Sequence, residues 1–425
     1  MEQQPDNLAT DVAIIDDAIG VQFDADALKT SPKSPRTKRA PNPNGTKRST
    51  PRRAAKKNDE AVLRETPKRS RSARKNNKGR GSVSNQSGRF ESQQRERFDD
   101  GWSDDPLPVL KTNVHVEKPK TIITRNQSPD ISFDRSINAY RGCEHGCSYC
   151  FARPTHAYLG HSPGLDFETE LYAKPDASKL LLKELAAPNY KPRVIALGTN
   201  TDPYQPIERD YKITRDILEV LDKTNHPVGI VTKSALIMRD IDILSRMAER
   251  GLARVALSVT TLDRKLSRAM EPRASTPEKR LEAVKALSDA GVPTSIMVAP
   301  IIPALNDSEI EAILEKASEN GALDAGYVLL RLPLEVSEIF KEWLLTHYPD
   351  KYRHVLSVLR SMRGGKDYDV AWGRRMRGAG PYADQIAQRM KLALKRLNMK
   401  RRKPALRTDL FKPPELPGMQ MSLFE

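Results

Sequence analysis

Short runs of apolar, β-favouring residues alternate along most of this chain with stretches whose apolar positions recur at helical spacing. The runs predict strands at Ser136–Tyr140, Arg193–Leu197, Val228–Thr232, Arg254–Val259, Pro293–Val298 and Gly326–Leu330. Between them the pattern predicts amphipathic helices at Asp176–Ala187, Ile213–Lys223, Arg239–Arg250, Thr276–Ala290 and Asp307–Asn320. Strand–helix repetition implies parallel strands joined by right-handed crossovers. The expected fold class is α/β, a partial (β/α)6 barrel of TIM-like build. Chemistry in such barrels sits at the carboxyl ends of the strands. Polar residues stand there: Gly198-Thr199-Asn200-Thr201-Asp202, Lys233-Ser234, Thr260-Thr261 and Arg331.

The flanks read differently. Residues 1–105 are poor in aromatic and β-branched side chains and are expected to be a disordered, basic N-terminal region. The core is placed at 106–335, with 107–137 as an irregular lead-in. A helical extension follows at 336–402, with helices at Val336–Leu345, Tyr352–Met362 and Tyr382–Leu397. Residues 403–425 read as a flexible tail.

Charge sharpens this division. The 425 residues carry a net +16. From Leu28 to Phe98 there are 22 Lys and Arg against 5 Asp and Glu, so the tail alone accounts for the surplus. Such one-signed segments hold phosphate backbones by counterion release, without reading sequence. No apolar run is long enough to predict a membrane span, and the start of the chain lacks a signal peptide's basic-then-apolar pattern. With no sign of disulfides, the expected location is cytoplasmic.

The candidate chemistry lies in one loop. The chain's 3 cysteines, Cys143, Cys147 and Cys150, are spaced C-x3-C-x2-C. That spacing lets three thiolates face one iron–sulfur cube and leaves one iron of a four-iron cube without a protein ligand. A structural zinc held by the cysteines with His145 is the competing assignment. His145 itself reads as an exposed loop histidine, and His156 and His161 read as helix-surface residues.

The cysteine spacing, with Tyr149 just before the last cysteine, resembles the signature of the radical S-adenosylmethionine (radical SAM) enzymes. The resemblance implies a [4Fe–4S] cluster whose open iron is chelated by SAM. It implies reductive cleavage of SAM to a 5′-deoxyadenosyl radical, fed by a flavodoxin or ferredoxin-type electron donor. It places Gly198, Thr199, Asn200 and Asp202 where the family meets the SAM amino group. Lys233, Ser258 and Arg273 are candidates for the SAM carboxylate or ribose, and Tyr149 and Arg331 are catalytic candidates. Arg141-Gly-Cys143 to Phe151, Gly198–Pro203, Thr232–Ser234 and Glu271-Pro-Arg273 look most like the branch around spore photoproduct lyase. Two departures separate this chain from that lyase. Phe151 stands where the lyase has a tyrosine after the last cluster cysteine, and no fourth cysteine is present to donate hydrogen.

Two further stretches bear on partners. Arg363-Gly-Gly-Lys-Asp367 and Trp372-Gly-Arg-Arg-Met-Arg377 pair glycines with arginines, as in a phosphate cradle or a solvated turn. The Pro-rich end carries Gln420-Met-Ser-Leu-Phe424, which looks like the pentapeptide that docks replication and repair proteins on the bacterial sliding clamp. The reading is an enzyme acting on DNA in repair. Radical modification of tRNA or rRNA and a non-catalytic iron–sulfur adaptor are the alternatives.

Overall fold

The computed structural model describes residues 79–91, 110–399 and 405–415. Among the described residues ten strands run in chain order: β1 (Asn113–Val116), β2 (Ile123–Arg125), β3 (Arg135–Ile137), β4 (Tyr140–Arg141), β5 (Glu170–Ala173), β6 (Ile195–Leu197), β7 (Val228–Thr232), β8 (Ala253–Ser258), β9 (Thr294–Ile301) and β10 (Asp324–Leu329). The main sheet has the order β10-β9-β8-β7-β6-β3-β2. All its neighbours are parallel except β2, which runs antiparallel to β3 at the edge. The parallel strands are those the hydrophobic runs mark. The architecture is the α/β partial barrel expected, with a helical C-terminal extension.

The helices Ala177–Leu185, Ile213–Lys223, Ile241–Glu249, Pro277–Asp289 and Ile310–Glu319 cover the outer face of this sheet. Their apolar stripes bury Leu181, Leu218, Leu244, Leu287 and Leu314 completely. The start of Pro277–Asp289 shows how locally such boundaries are set. Thr276 accepts a hydrogen bond from the Lys279 N–H, and Pro277 fills the first turn, where no N–H partner is needed. Inward-facing Ala196, Ala256, Met297 and Val328 form a smaller cluster with Ile131, Phe133 and Met376. The lead-in and the extension thus help to fill the open barrel. Among the described residues, no helix is long and apolar enough to cross a membrane.

The structure corrects the sequence reading at the margins. A small second sheet, β1-β5-β4, has strands of two to four residues, too short to show a period. Residues 79–91 are not part of a disordered tail. Val83 is buried, and the Gly81 and Ser82 N–H groups donate to Glu168 at 3.0 and 2.8 Å. The segment holds by backbone hydrogen bonds and so carries no hydrophobic signature. Residues 405–415 are likewise docked. The Arg407 N–H reaches the Gly251 carbonyl at 3.0 Å and the Lys412 N–H reaches that of Thr224 at 2.9 Å. The basic residues before Gly79 and the clamp-like peptide 420–424 lie outside the described residues.

Phe411 stacks edge-on against His226, with ring centroids 5.4 Å apart. In its neutral form His226 donates from Nδ1 to the Pro227 carbonyl and accepts the Tyr190 hydroxyl at Nε2. A second proton would reverse the Tyr190 bond, with Nε2 donating to the phenol oxygen. Burial pulls this imidazole down to about 4 from an ordinary 6.5. The unfolded chain therefore binds more protons between these values, and stability falls as pH drops from 6.5 towards 4, by up to about 3 kcal/mol. Urea midpoints measured across that window are expected to fall less steeply in His226→Gln than in the wild type. Parallel profiles would place the titration elsewhere.

Candidate active site

The stretch from Gly142 to Phe151 joins the end of β4 to a 3-10 helix at Arg153–Leu159 and has almost no regular structure. Its own turns supply only weak bonds, such as Gly146 N–H to Cys143 O at 3.4 Å. Its neighbours hold it instead. Cys143 N–H donates to Phe167 O and Ser148 N–H to Met270 O, both at 2.9 Å. Gln205 spans the loop, accepting from Glu144 N–H at 2.9 Å and donating to Gly142 O at 3.2 Å. Arg153 donates from Nε to the carbonyl of Cys147 at 2.9 Å. Cys143 and Cys147 are buried and Cys150 is partly buried.

A cavity opens beside the loop at the carboxyl ends of the strands. Cys147, Tyr149, Cys150, Phe151, Gly198, Thr199, Lys233, Ser258 and Arg331 line it, with Val231, Met297, Ala299, Pro300, Val328 and Leu329 as its apolar wall. Most of the candidate residues therefore meet in one place, although they come from the ends of four strands and one loop. Gly198 is required there by packing. It has φ +86°, and a Cβ would lie 1.9 Å from the Val231 carbonyl oxygen. Asn200 stands one residue beyond the lining, and its buried Oδ1 has no hydrogen-bond partner. The apolar lining residues sit within strands that look like ordinary core, so sequence reasoning missed them.

Besides Cys143 and Asn200, two further candidates lie outside the lining. Asp202 does not line the cavity. Its carboxylate accepts from Thr232 Oγ1 at 2.6 Å, Lys233 N–H at 2.8 Å and Tyr204 N–H at 2.9 Å, and lies 3.4 Å from His145 Nδ1. Burial works against its charge, but His145 and these donors prevail and hold it at about 2. Asp202 therefore ties the end of β6 to the end of β7. Arg273 is partly exposed, outside the cavity, and pairs with Glu144.

His145 is not an exposed loop histidine. It is buried against Asp202, and among the described residues it does not gather with the cysteines into a single-ion site. His156 is buried, bonding Glu170 O through Nε2 at 2.8 Å, and His161 bonds the Tyr172 hydroxyl at 2.7 Å. His156 is therefore not a surface residue, whereas His161 stays half-buried. Arg363 and Arg375 form no phosphate cradle. Arg363 donates to the carbonyls of Leu330, Arg374 and Arg375, and Arg375 grips Asp130 at 2.7 Å, all within the protein.

The floor beneath Tyr149 is a buried charge network. The Tyr149 hydroxyl and Thr260 donate to Glu271, which also pairs with Arg280. Burial alone would raise the Glu271 carboxyl, but Arg280 and Lys233 outweigh it and hold it below its usual range. Lys233 lies 5.8 Å from the Tyr149 ring centre. Burial disfavours its charge, while Cys147 and Glu271 more than restore it. Arg331 lies between the rings of Phe151 and Tyr368, at 5.1 and 5.7 Å.

A model of the radical SAM superfamily matches residues 137–317. This chain belongs to that superfamily and is a radical SAM enzyme. It is 36% identical over 230 residues to uncharacterised proteins of Mycobacterium bovis and Mycobacterium tuberculosis, covering 53% of this chain and 68% of each of those. It is 32% identical over 216 residues to a protein of Methanocaldococcus jannaschii, covering 51% of this chain and 77% of that one. Among solved structures, spore photoproduct lyase aligns with 18% identity and a TM-score of 0.48, over 67% of this chain and 79% of that one.

The family's cofactors are a [4Fe–4S] cluster and SAM, and the residues present fit both. The donor set is three soft sulfurs with no fourth cysteine in the chain, which suits a cube with one open iron. Burial pushes the Cys147 thiol up to about 12, and the other two rise as well, so the thiols stay protonated until a bound metal displaces their protons. Among the described residues, no three His, Cys, Asp or Glu side chains close around a single ion, as a lone zinc would need. The orphaned Asn200 Oδ1 is an acceptor of the kind that an ammonium group takes.

Removing Glu271 would leave Arg280 charged and buried without its partner. Glu271→Ala is expected to cost about 3–5 kcal/mol in denaturant unfolding. A loss below about 1 kcal/mol would mean that water already solvates the network.

Proposed function

We propose that this enzyme cleaves SAM reductively and directs the resulting radical chemistry at DNA, in a repair role. The observation that carries the first part is the cavity joining Cys147 and Cys150 to Gly198, Thr199, Lys233 and Ser258. When bound, the cluster supplies an electron and SAM supplies the carbon–sulfur bond that breaks. The chain's own residues bind, orient and exclude water. Cys143, Cys147 and Cys150 hold the cluster. Lys233 offers an ammonium for the SAM carboxylate, and Ser258 a hydroxyl for the carboxylate or ribose. Asn200 Oδ1 accepts from the SAM amino group beside the close backbone approach at Gly198. The apolar wall from Val231 to Leu329 keeps water from the reacting centre. Tyr149, braced by Glu271, and Arg331, braced by Phe151 and Tyr368, face the substrate.

The DNA assignment rests on charge and on the docking peptide. The Leu28–Lys78 segment holds 18 Lys and Arg against 3 Asp and Glu, which suits a phosphate backbone. Gln420–Phe424 suits the sliding clamp, with Leu423 and Phe424 as apolar anchors. The likeness of the motifs to the spore photoproduct lyase branch points the same way. A flavodoxin or ferredoxin-type donor and a cytoplasmic location complete this reading.

Anaerobically reconstituted protein, given a strong reductant and SAM, is expected to release 5′-deoxyadenosine, and Cys147→Ala none. Damaged duplex DNA is expected to raise the yield. Stimulation by tRNA or rRNA instead would move the substrate to RNA. No product from cluster-loaded protein that binds DNA would leave an adaptor.

Deleting residues 420–424 is expected to abolish binding to the bacterial sliding clamp in surface plasmon resonance. Unchanged binding would remove the peptide from the argument.

A further inference from the structure

Arg153 and Glu168 lie on the side of the cluster loop away from the cavity, and the SAM-binding residues do not use them. Both side chains are fully buried, and they pair at 2.5 Å. Every branch of the guanidinium is engaged. Nε donates to the Cys147 carbonyl at 2.9 Å, and Nη1 donates to the carbonyls of Pro163 and Gly164 at 3.1 and 2.8 Å. The carboxylate is equally occupied. Besides Arg153, its Oε2 accepts from Gly81 N–H at 3.0 Å and its Oε1 from Ser82 N–H at 2.8 Å. Two glycines make this approach possible. A Cβ on Gly146, inside the loop, would lie 2.7 Å from Glu168 Oε2, and a Cβ on Gly81 would lie 1.5 Å from the Gly146 carbonyl oxygen. Asn85 and Asp166 fasten the same segment further along, through bonds of 2.7 and 3.0 Å.

We propose that Arg153 and Glu168 are positioning residues for the cluster, and that residues 79–85 form a strap that locks them from outside. The path is continuous: the strap's N–H groups fix Glu168, Glu168 fixes Arg153, and Arg153 fixes the peptide of a ligand cysteine. The loop has no ladder or helix to orient that peptide, so the direction of the Cys147 thiolate depends on this bond together with the one from Ser148 N–H to the Met270 carbonyl. Outer partners of this kind govern both the hold on a metal and its electronics. The charge matters as well as the geometry. Arg153 places a cation next to a ligand peptide, and Glu168 neutralises it. A cation left uncompensated there favours the more negative, reduced cluster.

The test is made on full-length, anaerobically reconstituted protein. The readouts are iron content, the rate of iron release to a chelator, and the cluster midpoint potential followed by electron paramagnetic resonance. Glu168→Gln keeps the shape and removes the charge. It is expected to shift the potential upward and to speed iron release about tenfold, the scale of one lost charge-assisted hydrogen bond. Glu168→Asp keeps the charge and is expected to bring the potential back towards the wild-type value. Gly81→Ala leaves the charges of Arg153 and Glu168 in place, and its Cβ, set against the Gly146–Cys147 peptide, must lift the strap from Gly146. It is expected to speed release with little change in potential. Wild-type release from Gly81→Ala overturns the strap, and it decides the matter alone if the Glu168 variants do not fold. A wild-type potential in folded Glu168→Gln overturns the positioning role. Wild-type protein that takes up no iron would overturn the cluster assignment and this proposal with it.

Discussion

Three thiols must reach one cluster from a loop that cannot hold itself. Cys143, Cys147 and Cys150 sit in a turn-rich stretch whose internal hydrogen bonds are few and long. Its shape is therefore imposed by Phe167, Met270, Gln205 and Arg153, which contact the loop from different parts of the chain. Each is itself fixed by the barrel or its outer layer. The fold is thus a frame for one irregular segment, and much of its buried polarity serves that purpose.

The polarity is costly and concentrated. Arg153–Glu168, Arg280–Glu271 and Arg375–Asp130 are ion pairs with almost no exposure. Such pairs add little net stability over an apolar core, but losing one partner is severe. Each of them joins segments that hydrophobic packing alone would not register. Arg153–Glu168 seats the cluster loop. Arg280–Glu271 braces Tyr149 under the cavity. Arg375–Asp130 ties the extension to the lead-in, across the two edges of a sheet that does not close by its own strands. Asp202 does the same between the ends of β6 and β7, and its low pKa reflects how fully its charge is used.

This division assigns the polar residues of the barrel mouth to two jobs. Lys233, Ser258 and Arg331 face the cavity. Those just behind it, Asp202, Glu271 and His145, are consumed in keeping the first group in place. Residue type does not separate them. An aspartate at the end of a strand suits either job, and only its neighbours decide.

The sequence by itself determined the alternation of strands and helices, and with it the parallel barrel, because burial on both faces of a parallel strand leaves a continuous apolar run. It also singled out Cys143, Cys147 and Cys150 as the candidate ligands, since three closely spaced cysteines have few other uses. The tertiary structure decided the rest. It turned Asp202 and Arg273 away from the cavity, buried His145 and His156, and drew residues 79–91 and 405–415 onto the body. These outcomes depend on backbone groups and on long-range charge partners such as Glu168 with Gly81, 87 residues apart. Such contacts have no period and no local composition, so nothing in the linear pattern announces them.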